Sequence, residues 1–276
     1  MSDRQGSLVL AACFVFAFAA HTAAQQPQPI VAPAPPAPEF LTRYDFHMSA
    51  TSLLTSTPTP PPAVPDERFS WDMHFGGSFD IADFVVARLG VIAGYQAVLG
   101  SEYRPFDPNQ GNYTLEGFIS ARVGEMEVAG IFHHVSRHIS DRPKPFAVAY
   151  NEVGGRVTGR LALGPTTVDV DLEGGRAVQH SYVDYTWLGE MQVLVRHPVN
   201  ERVGVFAHGS GQAFAVNETV ARRGAQAGGL VEAGVRLTGR AGVLEIFAGY
   251  EKRVDGDPLD RVSQRWGLAG FRLLSR

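Results

Sequence analysis

Cysteine is nearly absent from this chain, with Cys13 the one example in 276 residues. It lies in an apolar stretch, Leu8 to Ala20, that has the length of a secretory signal, and small Thr22 and Ala24 suit cleavage before Gln25. Removal of residues 1–24 would leave no thiol, so neither a disulfide framework nor thiol catalysis is expected. A lipoprotein cut at Cys13 would leave apolar Phe14 to Ala20 on the mature side, which favours the ordinary signal. Beyond the N-terminus there is no apolar run of about 18 residues, which excludes a transmembrane helix in the mature chain. Charge is also sparse. With 19% charged residues, a formal charge of −4 and no basic stripe, the sequence offers nothing to nucleic acid.

Glycine and proline are plentiful, at 30 and 18, and they are unevenly placed. Residues 25–65 hold APAPPAPEF and TPTPPPAVP. Such composition buries too little apolar surface to offset its ordering entropy, so a disordered periplasmic tether is expected there, with room for a short docking piece at Phe40 to Leu54. From residue 66 to 276 the pattern becomes alternating. Tyr113, Leu115, Gly117, Ile119, Ala121 and Val123 alternate with polar or mixed neighbours, and so do Tyr185, Trp187, Gly189, Met191, Val193 and Val195. The same rhythm recurs at 85–103, 166–174, 202–214, 226–240 and 243–253, each a strand with two unlike faces.

A soluble sandwich and a membrane barrel both have such strands, and the connections separate them. Gly124-Glu125, Gly164-Pro165, Val199-Asn200 and Arg240-Ala241-Gly242 are tight turns that alternate with longer loops near 105–111, 139–146, 217–224 and 254–260. Short turns at one end and long loops at the other are the outer-membrane barrel arrangement. The polar faces carry Arg122, Glu152, Arg156, Arg160, Asp169, Asp171, Glu190, Arg196, Arg236 and Glu245, too many charges for a sandwich core. Inside a closed barrel they can pair with one another. The expectation is an all-β, antiparallel transmembrane β-barrel of about ten strands counted back from the C-terminus. Twelve is the alternative, because 69–81 also alternates and 84–104 could be split. A lumen filled with charge argues against a general porin.

One strand, Met126 to about His138, carries Phe132-His133-His134-Val135-Ser136-Arg137-His138. Glu127, Ala129, Ile131, His133, Val135 and Arg137 hold its charged ends and are assigned to the lumen, which turns His134, Ser136 and His138 outward toward lipid. On the next strand Glu152, Arg156, Thr158 and Arg160 form the lumenal face and leave Asn151 outward. Pairing 138 with 147 sets 134 opposite 151, about 5 Å apart on one face. His134 would then act as base to the Ser136 hydroxyl, with Asn151 orienting the imidazole. His138, Asp141 and Glu152 are accessory candidates. Metal binding by His133, His134 and His138 is disfavoured because His133 faces away from the other two. His208 and Gln212 are expected in the internal network. A structural reading stands beside the catalytic one, since H-x-S arises readily by chance in a chain with nine His.

H-x-S on one strand with Asn on the next resembles outer-membrane phospholipase A, which implies a barrel whose serine attacks acyl esters of lipids from the outer wall, with calcium and a homodimer. Tyr150 stands where that family is expected to have Trp, and Glu152 where it is expected to have Arg. Lipid A deacylase barrels are similar through H-x-S plus a carboxylate on the next strand, a role left here to Glu152. The stretch His134 to Asp141 also resembles an uncharacterised outer-membrane family with H-x-S-S-H-L-G-D-E, which implies no activity. Gly267, Phe271 and Leu273 resemble the insertion signal of outer-membrane barrels, which implies contact with the barrel-assembly machinery. Membrane lipid and lipopolysaccharide are the expected partners. The competing function is a non-enzymatic structural, lipid-contacting or narrow-pore barrel.

Overall fold

The computed structural model describes residues 34–55 and 67–275. The signal-like segment 1–24 therefore lies outside the described residues, as do 25–33 and 56–66 of the proline-rich stretch. The strands are β1 (Glu39–Thr55), β2 (Trp71–Asp83), β3 (Ala87–Gly100), β4 (Asp107–Val123), β5 (Met126–Ile139), β6 (Val148–Leu163), β7 (Thr166–Ser181), β8 (Tyr185–Pro198), β9 (Val203–Val216), β10 (Gln226–Thr238), β11 (Val243–Asp257) and β12 (Val262–Leu274). Each pairs antiparallel with its chain neighbours, and β1 pairs with β12 to close the barrel. Closure leaves no unpaired edge.

Among the described residues the count is twelve, the stated alternative, and the main expectation of about ten is corrected at the N-terminal side. β2 falls on the alternating segment 69–81 on which the twelve-strand alternative rests. β1 lies wholly within residues 25–65, so the barrel begins at Glu39 rather than at 66. Its own pattern explains why: His47, Ser49, Thr51 and Leu53 are buried on the lumenal side, whereas Tyr44, Phe46 and Leu54 are exposed on the outside. Short polar side chains fit the crowded interior, and prolines on both flanks mask the alternation in the sequence.

Two-residue turns join β4 to β5 and β6 to β7, and Gly124 and Gly164 take positive φ there (63° and 62°), as tight hairpins require. β1 starts and β12 ends at this short-turn end, since Glu39 pairs with Asp83 and Leu274 with Val243. The lumen is packed with charge that is paired across strands. Arg88 donates to Asp80 at 2.9 Å and to Glu127 at 2.6 Å, Arg156 to Glu116 at 2.6 Å, and Arg272 to Glu232 at 2.7 Å and Glu245 at 2.9 Å. Arg88 and Arg156 each lie 5.5 Å from the buried Phe118 ring. His208 sits 3.4 Å from Glu232, and Gln212 donates to Glu190 at 2.7 Å, so both belong to this network. Burying paired charge is tolerable only with such geometry. Outside, Leu115, Ile119, Val128, Phe132, Val153, Val157, Leu172 and Met191 are exposed, which is the apolar belt that a bilayer would cover.

Candidate active site on the outer wall

Burial along β5 alternates from Met126 to Phe132, with Glu127, Ala129 and Ile131 inward. Period two then carries His133 inward, and His134, Ser136 and His138 outward. His134 is directly opposite Asn151 of β6 in the register. Its Nδ1 is 2.6 Å from Asn151 Oδ1. Because Oδ1 can only accept, Nδ1 carries the proton, which leaves Nε2 as the free, basic nitrogen.

The Asn151 amide is itself fixed. Its Nδ2 donates to Gln179 Oε1 of β7 at 2.8 Å. Gln179 reaches that place because the β6–β7 register shifts between Asn151 and Glu152, so that Asn151 opposes Gln179 and Glu152 opposes Ala177. Val178 is the extra residue, and the bulge turns Gln179 onto the outer face. No alternation signal reveals such a residue.

Ser136 lies between Tyr113 of β4 and Ala149 of β6. Its Oγ is 3.2 Å from His138 Nε2, so the hydroxyl is shared with the histidine two residues after it rather than with the one before it. His138 packs edge-on against Tyr113, centroids 5.2 Å apart, and Tyr113 lies 4.8 Å from Tyr95. On one face of a strand, neighbours are about 6.8 Å apart, so Ser136 stands between two imidazoles, and a staggered χ1 change swings its Oγ toward His134. Tyr113 opposite Ser136 sets an aromatic side chain beside the site.

Two accessory candidates are not brought to the site. Glu152 is buried on the lumenal face, one residue from Asn151 but on the other side of the wall. Asp141 belongs to the β5–β6 loop, where burial pushes its carboxyl above the usual range. The neighbouring Arg142 donates to Asp257 at 2.7 Å, folding the loop over the barrel mouth, and Lys144 donates to the Arg137 carbonyl at 3.3 Å. These charges therefore brace the loop.

No family model matches the chain, and no curated protein does. Solved structures that it is similar to include the outer membrane phospholipase A of Escherichia coli, at 14% identity over 86% of this chain and 98% of that one with a TM-score of 0.48. Similar too is the Salmonella typhi outer membrane phospholipase dimer with bound calcium, at 13% identity over 86% and 91% with a TM-score of 0.49. A third is the outer membrane protein Omp33 of Acinetobacter baumannii, at 10% identity over 84% and 97% with a TM-score of 0.41. These likenesses accompany the barrel and carry no argument about activity.

Proposed function

We propose that the protein is a barrel of the bacterial outer membrane, with its short-turn end and N-terminal segment in the periplasm, that hydrolyses acyl esters of membrane lipids, phospholipid or lipid A, at its outer wall. The observation that carries this reading is the 2.6 Å contact between His134 Nδ1 and Asn151 Oδ1 on the outward face, two residues from Ser136. An outward polar trio beside an apolar belt is costly unless it is used.

In the proposed reaction Ser136 Oγ forms a bond to the ester carbonyl carbon while His134 Nε2 takes the hydroxyl proton. Collapse breaks the ester C–O bond, and His134 returns that proton to the departing alkoxide. Water then repeats the sequence on the acyl-serine and releases fatty acid. His138 holds the resting hydroxyl and yields it when the ester arrives. As for the calcium implied by the resemblance, the register neighbours of Ser136 and Ala149 on this face are Tyr113 and Ser181, with no carboxylate among them. One chain alone does not form the oxygen-rich cage that calcium needs, so no step is routed through the ion. A homodimer supplying the missing oxygens belongs to the same proposal.

The experiment is fatty-acid release from mixed micelles by the refolded chain, with and without calcium. Wild type is expected to turn over, and Ser136→Ala to lose at least about a thousandfold in rate. Equal activity in the variant, or no release by wild type under either condition, rejects the assignment.

A further inference from the structure

Directly behind the outward trio, β4, β5 and β7 present a second group of ligating side chains to the lumen. Glu116, His133 and Glu173 offer one carboxylate oxygen, one imidazole nitrogen and another carboxylate oxygen, all within 4.8 Å of one another. Their elements fix them there. Glu116 opposes His133 in the β4–β5 register, and His133 opposes Glu152 in the β5–β6 register, so three lumenal residues stand in one row. Glu173 reaches the row from β7, its Oε1 3.8 Å from His133 Nδ1.

Glu152 is the independent observation. It is 3% exposed, yet it makes neither a hydrogen bond nor an ion pair among the described residues. Its oxygens open onto the lumenal cavity with no cation among the described residues bonded to them, and a carboxylate so enclosed favours a cationic partner. Its carboxylate lies against Gly175, where a Cβ would collide with it, and it faces the same cavity of about 180 Å3 that Glu116, His133 and Glu173 line. The local charge points the same way. Glu173 directly opposes Glu190 across β7 and β8, and Asp171 lines the same cavity, while Arg156 is the guanidinium bonded to Glu116 and Glu173. Like charges in opposed positions repel. Arg156 holds Glu116 Oε1 at 2.6 Å and Glu173 Oε2 at 3.4 Å, so Glu116 Oε2 and the Glu173 Oε1 that faces His133 are the oxygens turned toward another cation.

We infer that Glu116, His133, Glu152 and Glu173 form a lumenal binding site for a divalent first-row transition ion, represented experimentally by zinc. One imidazole and carboxylates are donors that such ions accept, and bonds of about 2.0–2.2 Å in a tetrahedron put ligand atoms roughly 3.4 Å apart. Glu116, His133 and Glu173 already lie within 4.8 Å of one another, and Glu152 would swing in from the same row as the fourth ligand. A hard ion such as calcium has no use for the imidazole. Arg156 then orients the two ligands that it bonds, the part outer-shell groups play at metal centres. The ion ties β4, β5, β6 and β7 together at the level of the site. His133 and Glu152 are the chain neighbours of His134 and Asn151, so it also stiffens the wall on which that pair hangs.

The test is to refold the full chain in detergent with zinc chloride, remove loose metal and measure both retained zinc and its dissociation constant by chelator competition. One zinc per chain is expected. His133→Gln and Glu152→Gln are expected to weaken it at least about a hundredfold, since even outer-shell partners are worth about 10–100-fold. Heat-modifiable migration on gels confirms that each variant is folded. Should a variant fail to fold, X-ray absorption on the wild-type zinc complex decides, with one imidazole and otherwise oxygen ligands expected. A wild type that retains no zinc, retention undiminished in both folded variants, preference for calcium, or a shell of two or more imidazoles each overturns the site. None of these readings depends on lipid hydrolysis.

Discussion

An amide rather than a carboxylate at position 151 sets the charge of the pair that it forms with His134. The Asn151 oxygen fixes the tautomer without adding charge, at a height where an unpaired carboxylate would sit against lipid. Asn151→Asp keeps the acceptor and adds a negative charge, which favours the imidazolium over the neutral ring. Under the proposed mechanism the base must be neutral. The acidic limb of the kcat/KM profile should therefore move to higher pH in the variant than in wild type. A profile that does not move would sink the base assignment. Gln179 is a positioning residue, holding the amide at 2.8 Å. Gln179→Ala should lower kcat about tenfold with KM little changed, and Gln179→Glu, which keeps an acceptor for the amide, should recover part of the loss. The pairing of residues 134 and 151 was legible, because hairpin arithmetic and alternation fix both register and face. Gln179 was not, since it depends on a bulge, and His138's hold on Ser136 was not, since alternation gives a side chain's face and never its rotamer.

At the scale of a strand, β7 sets two neighbouring glycines against each other. Gly174 faces outward, and a Cβ there would meet nothing nearer than the Leu188 carbonyl oxygen at 3.7 Å. Gly175 faces the lumen, where a Cβ would lie 2.8 Å from both Glu152 Cγ and the Val153 carbonyl oxygen. Gly174→Ala should therefore stabilise by about 0.5–1 kcal/mol through reduced chain entropy, whereas Gly175→Ala should cost about 1–3 kcal/mol as backbone and Glu152 shift. Urea unfolding of the refolded barrel measures both, and reversed effects would show that the two faces of β7 are exchanged, whereas equal effects would show that they are packed alike. Which face each residue takes was readable from the period-two pattern. The reason for each glycine was not, because it depends on what the neighbouring strands bring against it.

For the whole molecule, the decisive element is the one that the sequence hid. β3 to β12 could be counted from alternating runs and turn chemistry, since each strand there is bounded by its own loops. β1 is embedded in proline-rich chain, and composition averaged over residues 25–65 outweighs a polar-in, aromatic-out pattern that spans only part of it. Its structural role is nevertheless global: it pairs with β2 from Glu39 to Ser52 and with β12 from His47 to Thr55, so it joins the first and last parts of the wall. Without it β2 and β12 would each present a bare edge to lipid, where every unsatisfied backbone group costs several kcal/mol. A chain lacking residues 34–55 should thus fail to give the compact, heat-modifiable form on refolding into detergent or lipid, while removal of 25–33 alone should leave it intact. If the shorter barrel folded as well as the full chain, β2 and β12 would have to pair directly. The ring would then contract to eleven strands, two neighbours in it would have to run parallel, and the lumenal ion pairs from Asp72 to Arg253 and from Glu232 to Arg272 would be re-set. That outcome would make β1 an accessory to the barrel and restore the reading of this segment as a tether.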